Sequence, residues 1–287
     1  MRFEAPTTVE AAVSLLAAES GMARVLAGGT DLLVQMKSGV AEPDLVVDIK
    51  RIAAMHEISE EDGGFRIGAA VPGIALGEHA GVKAAWPGVV EGTELIGSTQ
   101  IQGRATMVGN LCNCSPAADS VPAMVAAGAV ARVVGPDGSR DVPTEDIAQG
   151  PGKSTLAKGE LVESVFLPAR PDHASDAYLR FIPRTEMDIA VVGCGVNLVL
   201  DANGTCTDAR VALGAVAARV FLVPAAADAL IGTSVDDAAL EAVAAACSAA
   251  ATPIDDKRGT VEFRKKVSGV LARRAATIAR DRAKGSA

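Results

Sequence analysis

The sequence predicts a protein of mixed helix and strand in two units, an α/β arrangement followed by a smaller α+β one. Three observations support this. The N-terminal stretch alternates helix, strand, turn, helix and strand. Positions 169–176 (ARPDHASD) read as a linker, being rich in charge, Pro and small polar residues. Beyond them, three strand-like runs precede Ala-rich and amphipathic helices, and the 287 residues exceed one ordinary domain.

The elements follow in order. Thr7 and Glu10 have capping-box spacing, and Val9, Ala12, Val13 and Leu16 recur on one helix face that Gly21 ends. Arg24 to Ala27 reads as a short buried strand, Gly28-Gly29 as a tight turn, and Thr30 as the N-cap of a helix running to Lys37. Leu45 to Ile49 is a further strand. Phe65 to Ala69 alternates like a strand, and Ala75 to Ala85 forms a helix before Pro87. Residues 104–122 form a long Gly/Asn/Cys/Ser/Pro segment with apolar flanks, expected to be a binding loop. Ala129 to Val134 and Arg140 to Val142, joined by Gly135-Pro136-Asp137-Gly138, make a hairpin. Leu161 to Leu167 is a strand stopped by Pro168. After the linker come strands at Tyr178–Ile182, Ile189–Leu200 and Thr207–Gly214, then helices at Val223–Leu230, Asp236–Ala251 and Thr260–Lys284. The last places Phe263, Val267, Val270, Leu271 and Ile278 on its apolar stripe.

Composition narrows the function. Lys and Arg total 27 against 35 Asp and Glu, a net charge of -8, which argues against a broad nucleic-acid or anionic-membrane surface. Aromatics are only 3%, so the core must be built from Ala, Val, Leu and Ile. The five cysteines show no disulfide framework, and neither a secretory signal nor a long apolar span is evident. A cytoplasmic protein with no integral membrane segment is expected.

Two segments could bind a ligand. In Ala27-Gly28-Gly29-Thr30-Asp31, between a strand and a helix, paired glycines let the backbone approach closely, and the N–H groups of Gly29, Thr30 and Asp31 suit a pyrophosphate. Taken alone, a plain βα turn is the commoner use of such a pattern, and Asp31 opposes an anion unless its carboxylate turns away. Thr106-Met107-Val108-Gly109-Asn110 supplies donors and acceptors suited to a ribityl chain or ribose. Cys112 and Cys114 lack a second Cys/His pair, so no metal is expected and buried, unreactive thiols are. His56, His79 and His173 are far apart in sequence, Ser98 lacks a hydrolase context, and Trp86 suits packing; no catalytic residue is identified.

VLAGGTDLLVQMK, ATMVGNLCNCSPAADSVPA, RTEMDIAVVGCGV and DDKRGTVEFRKKVSGVLARRA occur in this order across the chain. Together they resemble the FAD-binding (medium) subunits of the molybdenum hydroxylases, the xanthine dehydrogenase and carbon monoxide dehydrogenase type. The resemblance implies an α+β protein: a two-subdomain FAD-binding fold of the vanillyl-alcohol-oxidase (PCMH) type over residues 1–170, divided near 1–55 and 56–170, then a small flavoprotein C-terminal domain over 177–284. By position, Ala27, Gly28, Gly29, Thr30 and Asp31 match the first pyrophosphate loop, and Thr106, Met107, Val108, Gly109 and Asn110 the second FAD loop. Asp119 matches a cofactor-contacting acid, and Ile96 an adenine-packing position. Val162 and Arg180 match an aliphatic and a basic contact, and Ile189 a residue beside the flavin ring. Val108 stands where the family's second loop has its first Gly; a φ above zero there would strain a β-branched side chain. The Cys-rich insertion of the 4-hydroxybenzoyl-CoA reductase version is missing.

The implied function is electron transfer. FAD would take electrons from [2Fe-2S] clusters of a small partner subunit and pass them to NAD or another acceptor, while a molybdopterin-binding large subunit oxidises the substrate. The assembly expected is a dimer of heterotrimers. Alternatives are a free-standing FAD-dependent reductase of the same fold class, for which no catalytic acid or Arg cluster is identified, and a scaffold subunit without cofactor.

Overall fold

The computed structural model describes residues 1–285. Its N-terminal part comprises β1 (Arg2–Glu4), α1 (Val9–Ala18), β2 (Ala23–Leu26), α2 (Leu32–Lys37) and β3 (Leu45–Asp48). The strands form a parallel sheet in the order β1-β3-β2. Leu45, Val46 and Val47 of the central strand are buried, as a parallel strand covered on both faces requires. The α1 cap is Thr8 instead of Thr7: Thr8 has the extended backbone before the first helical residue, and its hydroxyl accepts from the Ala11 N–H at 3.2 Å. Thr30 likewise does not cap α2. The turn continues through Asp31, and the helix is tied in by the Leu33 N–H donating to the Gly29 carbonyl at 3.0 Å.

The second subdomain runs through β4 (Ile58–Glu61), β5 (Gly64–Gly68), α3 (Gly73–Glu78), α4 (Ala80–Ala85), α5 (Pro87–Glu94), α6 (Thr99–Gln102), α7 (Met107–Cys112), α8 (Ser120–Ala126), β6 (Val130–Gly135), β7 (Gly138–Pro143), β8 (Ala148–Gly150), β9 (Lys153–Ser154) and β10 (Leu161–Leu167). Five of its strands form an antiparallel sheet ordered β4-β5-β10-β6-β7, and β8 pairs with β9. The helix expected over 75–85 is two helices, because His79 breaks it and accepts the Val82 N–H on Nδ1 at 3.2 Å. Pro87 opens α5 in addition to ending its predecessor. The segment 104–122 is not one continuous loop, since it holds α7 and the start of α8.

The C-terminal unit comprises β11 (Ala174–Phe181), β12 (Val192–Leu200), β13 (Cys206–Gly214), β14 (Phe221–Leu222), α9 (Pro224–Asp228), α10 (Asp237–Ala250) and α11 (Val261–Gly285). Its antiparallel sheet runs β11-β12-β13-β14. The linker is shorter than expected: β11 starts at Ala174, and Asp176 is buried because it pairs with Arg170 at 3.0 Å. Helix α11 buries part of the stripe its apolar residues suggested, Leu271 with Val267 and Ile278 packed partly against the core, and extends it onto a run of alanines. Leu271, Ala272, Ala275, Ala276, Ala279 and Ala283 face inward, whereas Phe263 and Val270 are exposed. The small alanines let α11 lie close over β11, β12 and α10. Arg264 shares the buried face because its guanidinium donates to the carbonyls of Val191 and Ala215 and to Asp256.

Buried apolar side chains gather in two clusters, one spanning mostly Ala12–Leu167 and the other Ala177–Ala283. Each buried Val or Leu stabilises by about 1.5–3 kcal/mol. The units meet backbone to backbone. A Cβ on Gly195 of β12 would lie 2.4 Å from the Pro122 carbonyl oxygen of α8, and one on Gly88 of α5 2.8 Å from the Ala177 nitrogen of β11.

Candidate functional site

A cleft of about 700 Å³ opens between the parallel-sheet and antiparallel-sheet subdomains, in the size range of small-molecule and cofactor sites. The β2–α2 bend forms one wall. Gly28 has no room for a side chain, since a Cβ would lie 1.9 Å from the Arg104 carbonyl oxygen, and Gly29 has φ +79°. Among the described residues, no acceptor engages the N–H groups of Gly29, Thr30 and Asp31. These donors sit at a bend whose path is held from behind: the Lys50 ammonium donates to the Ala27 carbonyl at 3.0 Å and to Asp48 at 2.7 Å. Asp31 is exposed at the cleft, and desolvation raises its carboxyl pKa.

The segment entering α7 forms the facing wall. Thr106 is the α7 N-cap, its hydroxyl accepting from the Gly109 N–H at 2.8 Å, and a Cβ on Gly109 would crowd that hydroxyl at 2.8 Å. The Asn110 carbonyl oxygen accepts from the Ser120 N–H at 3.2 Å and hydroxyl at 2.8 Å, which fixes α7 to α8. Val108 lies in α7 with no positive φ, so a β-branched side chain is unstrained there.

Most of the expected site residues converge. Ala27, Gly28, Gly29, Thr30, Asp31, Ile96, Thr106, Val108, Gly109, Asn110 and Val162 all line the cleft. Met107 does not; it is buried in the adjoining core. Asp119 and Arg180 also lie off the cleft lining and engage each other at 2.8 Å, with the Tyr178 hydroxyl donating to Asp119 at 3.4 Å. Burial pushes the Asp119 carboxyl up to about 6, against the opposing pull of Arg180 and Tyr178. Ile189 is 53% exposed and precedes β12, which begins at Val192. Its segment reaches the cleft rim through the Met187 N–H, which donates to the Gly97 carbonyl at 3.2 Å, next to Ile96.

Sequence reasoning missed Lys50 and the wall contributed by Leu156, Lys158 and Gly159, along with Gln35, which donates to Asn113 at 2.9 Å. The available signal was Gly159 ahead of the β10 strand; its φ is +87°. The thiols are structural: burial pushes Cys112 up to about 12 and Cys114 to about 11. Among the described residues, no three His, Cys, Asp or Glu side chains gather as a metal site. His56 and His79 make local hydrogen bonds, and Trp86 is buried with its indole N–H on the Pro168 carbonyl. The cleft therefore presents unengaged main-chain donors at its first bend beside apolar side chains such as Ile96, Val108 and Val162.

Known proteins share this architecture. The family model described as "FAD binding domain in molybdopterin dehydrogenase" matches residues 1–170, and "CO dehydrogenase flavoprotein C-terminal domain" matches residues 177–279. The carbon monoxide dehydrogenase medium chain of Afipia carboxidovorans is 33% identical over 282 residues, 98% of this chain and 97% of that one. The xanthine dehydrogenase FAD-binding subunit of Escherichia coli O157:H7 is 31% identical over 259 residues, 90% of this chain and 88% of that one. Among solved structures, reconstituted CO dehydrogenase from Oligotropha carboxidovorans aligns with TM-score 0.93 at 33% identity, covering 98% of both chains. Quinoline 2-oxidoreductase from Pseudomonas putida 86 aligns at 0.90 and 25% identity, covering 100% of this chain and 98% of that one. Among the described residues no helix is long and apolar enough to cross a membrane. With cleft, fold and sequence in agreement, the chain belongs to the molybdopterin-dehydrogenase FAD-binding family, the medium subunits of CO dehydrogenase- and xanthine dehydrogenase-type oxidoreductases.

Proposed function

We propose that this chain holds FAD in the cleft and relays electrons from the [2Fe-2S] clusters of a small subunit to NAD or another acceptor. A molybdopterin-binding large subunit oxidises the substrate, and the complex is a cytoplasmic dimer of heterotrimers. The reading divides the chain into an FAD domain over 1–170, with subdomains near 1–55 and 56–170, and a C-terminal domain over 177–284. FAD supplies one- and two-electron chemistry when bound; the protein binds, orients and tunes it. The N–H groups of Gly29, Thr30 and Asp31 face the diphosphate, and the Thr106 hydroxyl and Asn110 amide serve its polar chain. Ile96 and Val162 pack on the rings. Asp119 and Arg180 act behind the cleft, holding α8 and hence Asn110 in place. Ile189 stands at the rim and limits access to the flavin.

The observation that supports this best is the bend at Gly28. Its backbone is pressed against Arg104 with no space for a side chain, while the next three N–H groups lack acceptors among the described residues. The test is the visible spectrum of the purified full chain after incubation with FAD. A yellow protein with one flavin per chain is expected, and Gly109→Glu should remain folded and colourless. A wild-type chain that stays colourless with excess FAD refutes the assignment; co-purification with two further subunits tests the assembly.

A further inference from the structure

The segment between β11 and β12 carries two large apolar side chains that are poorly buried: Met187 is 55% and Ile189 53% exposed. Met187 adopts φ +53°, a left-handed conformation that a non-glycine residue keeps only when its surroundings fix it. Asp188 does the fixing. One carboxylate oxygen accepts from the Ile189 N–H at 2.8 Å, and the other from the Arg184 guanidinium at 3.0 Å. Arg184 also donates to the Met187 carbonyl at 3.1 Å. Arg258, from the turn before α11, approaches Asp188 at 3.6 Å. That turn is anchored in its own right: Asp256 accepts from the Arg258 N–H and from Arg264, both at 2.8 Å, and Arg264 returns to the Val191 carbonyl at 2.8 Å. The contacts form a closed ring around the base of the segment.

We propose that Asp188 is a positioning residue for Ile189, gathering Arg184, Arg258 and the Ile189 N–H into one clamp that holds the Met187–Ile189 segment against the bend carrying Ile96, and so sets how freely an electron acceptor reaches the flavin ring. The inference rests on the FAD reading above and adds the device that regulates access at that site. Its charged groups lie on two separate segments, the β11–β12 connection and the turn before α11, so loosening any one frees the segment without touching the diphosphate-binding bends.

The test compares wild type, Asp188→Asn, Arg258→Met, the double variant and Asp188→Glu in the full-length flavin-loaded protein. Trypsin cleavage after Arg184 reports anchoring independently of flavin. Reoxidation of reduced flavin by ferricyanide, two ions per flavin, reports access to the ring. The clamp requires several-fold faster cleavage and several-fold faster reoxidation in both single variants at unchanged flavin content. The double variant should be no faster than either single one, and Asp188→Glu should be partly restored. Unchanged cleavage overturns the clamp. Faster cleavage with wild-type reoxidation overturns its role at the ring, leaving a merely structural contact. A wild-type chain that takes up no flavin, with cleavage still accelerated in the variants, refutes the FAD reading and with it the role at the ring, whereas the anchoring then stands.

Discussion

In the cleft the inward-facing polar groups at the first bend are main-chain N–H donors, flanked by glycines and small side chains; at the seam between the FAD unit and the C-terminal unit they are charged side chains. There Arg170 pairs with Asp176 at 3.0 Å and stacks 3.7 Å above Trp86, Asp119 pairs with Arg180, and Glu91 with Arg282. The Arg170–Asp176 contact is close but not well directed, leaving Asp176 Oδ1 and two Arg170 nitrogens without a hydrogen bond among the described residues. Main-chain donors keep their position whatever the side chains do, so the cleft tolerates sequence change as long as its glycines remain. Buried charges need each other to offset their desolvation, so the seam does not. Changes in the cleft should reduce flavin binding first, and changes at the seam should reduce stability first.

Arg170→Ala should have the largest effect. It strands a buried carboxylate, which destabilises a protein by about 3–5 kcal/mol, and removes the cation above Trp86. Denaturant unfolding measures this, and a loss below about 1 kcal/mol would break the contrast between cleft and seam. Gly28→Val comes next. The new Cβ forces the bend away from Arg104 at an overpacking cost of about 1–3 kcal/mol. Flavin titration should show at least about tenfold weaker binding, corresponding to 1.4 kcal/mol or more. Thr106→Ala removes the α7 cap, costs about 1 kcal/mol, and should raise the flavin dissociation constant while leaving the seam intact.

A further effect is one of pH. Asp176 is pushed up to about 6 chiefly by burial, with Arg170 opposing, so the folded state holds its proton more tightly than the unfolded chain, where the value is 3.8. The stability this group contributes is present below pH 3.8 and is lost as pH rises through about 6. Asp176→Asn lacks this titration, so its stability relative to wild type should improve progressively across that window. Parallel unfolding curves at several pH values check the sign, and a difference independent of pH would place the Asp176 proton elsewhere.

Much of the fold was readable where local signals suffice: α1 from its apolar face, the β6–β7 hairpin from its turn, β10 from its stop at Pro168. Strand β1 was missed because three residues show no pattern, and only its long-range pairing with β3 defines it. Helix α7 was hidden by Gly109, Asn110 and Asn113, which read as breakers. The face of α11 was only partly placed, Phe263 and Val270 being exposed, because counting apolar residues ignores that Arg264 can be buried if carbonyls await it. At the site, the Gly28-Gly29 bend was legible from its place between strand and helix. Ile96 and Val162 have no local signature, and only the family resemblance located them. The Leu156–Gly159 wall reaches the cleft, and Lys50 reaches the back of the Ala27 bend, only through tertiary packing, of which Gly159 was the one local sign.

The direct contact of main chains at Gly88 and Gly195 bears on how the molecule can move. Two bodies separated by long side chains can slide or rock as those chains change rotamer; two bodies touching at their peptide planes cannot without first pulling apart. The antiparallel-sheet subdomain and the C-terminal unit therefore travel as one piece, so any opening of the cleft has to come from the parallel-sheet subdomain or from short surface segments, not from the C-terminal unit swinging away.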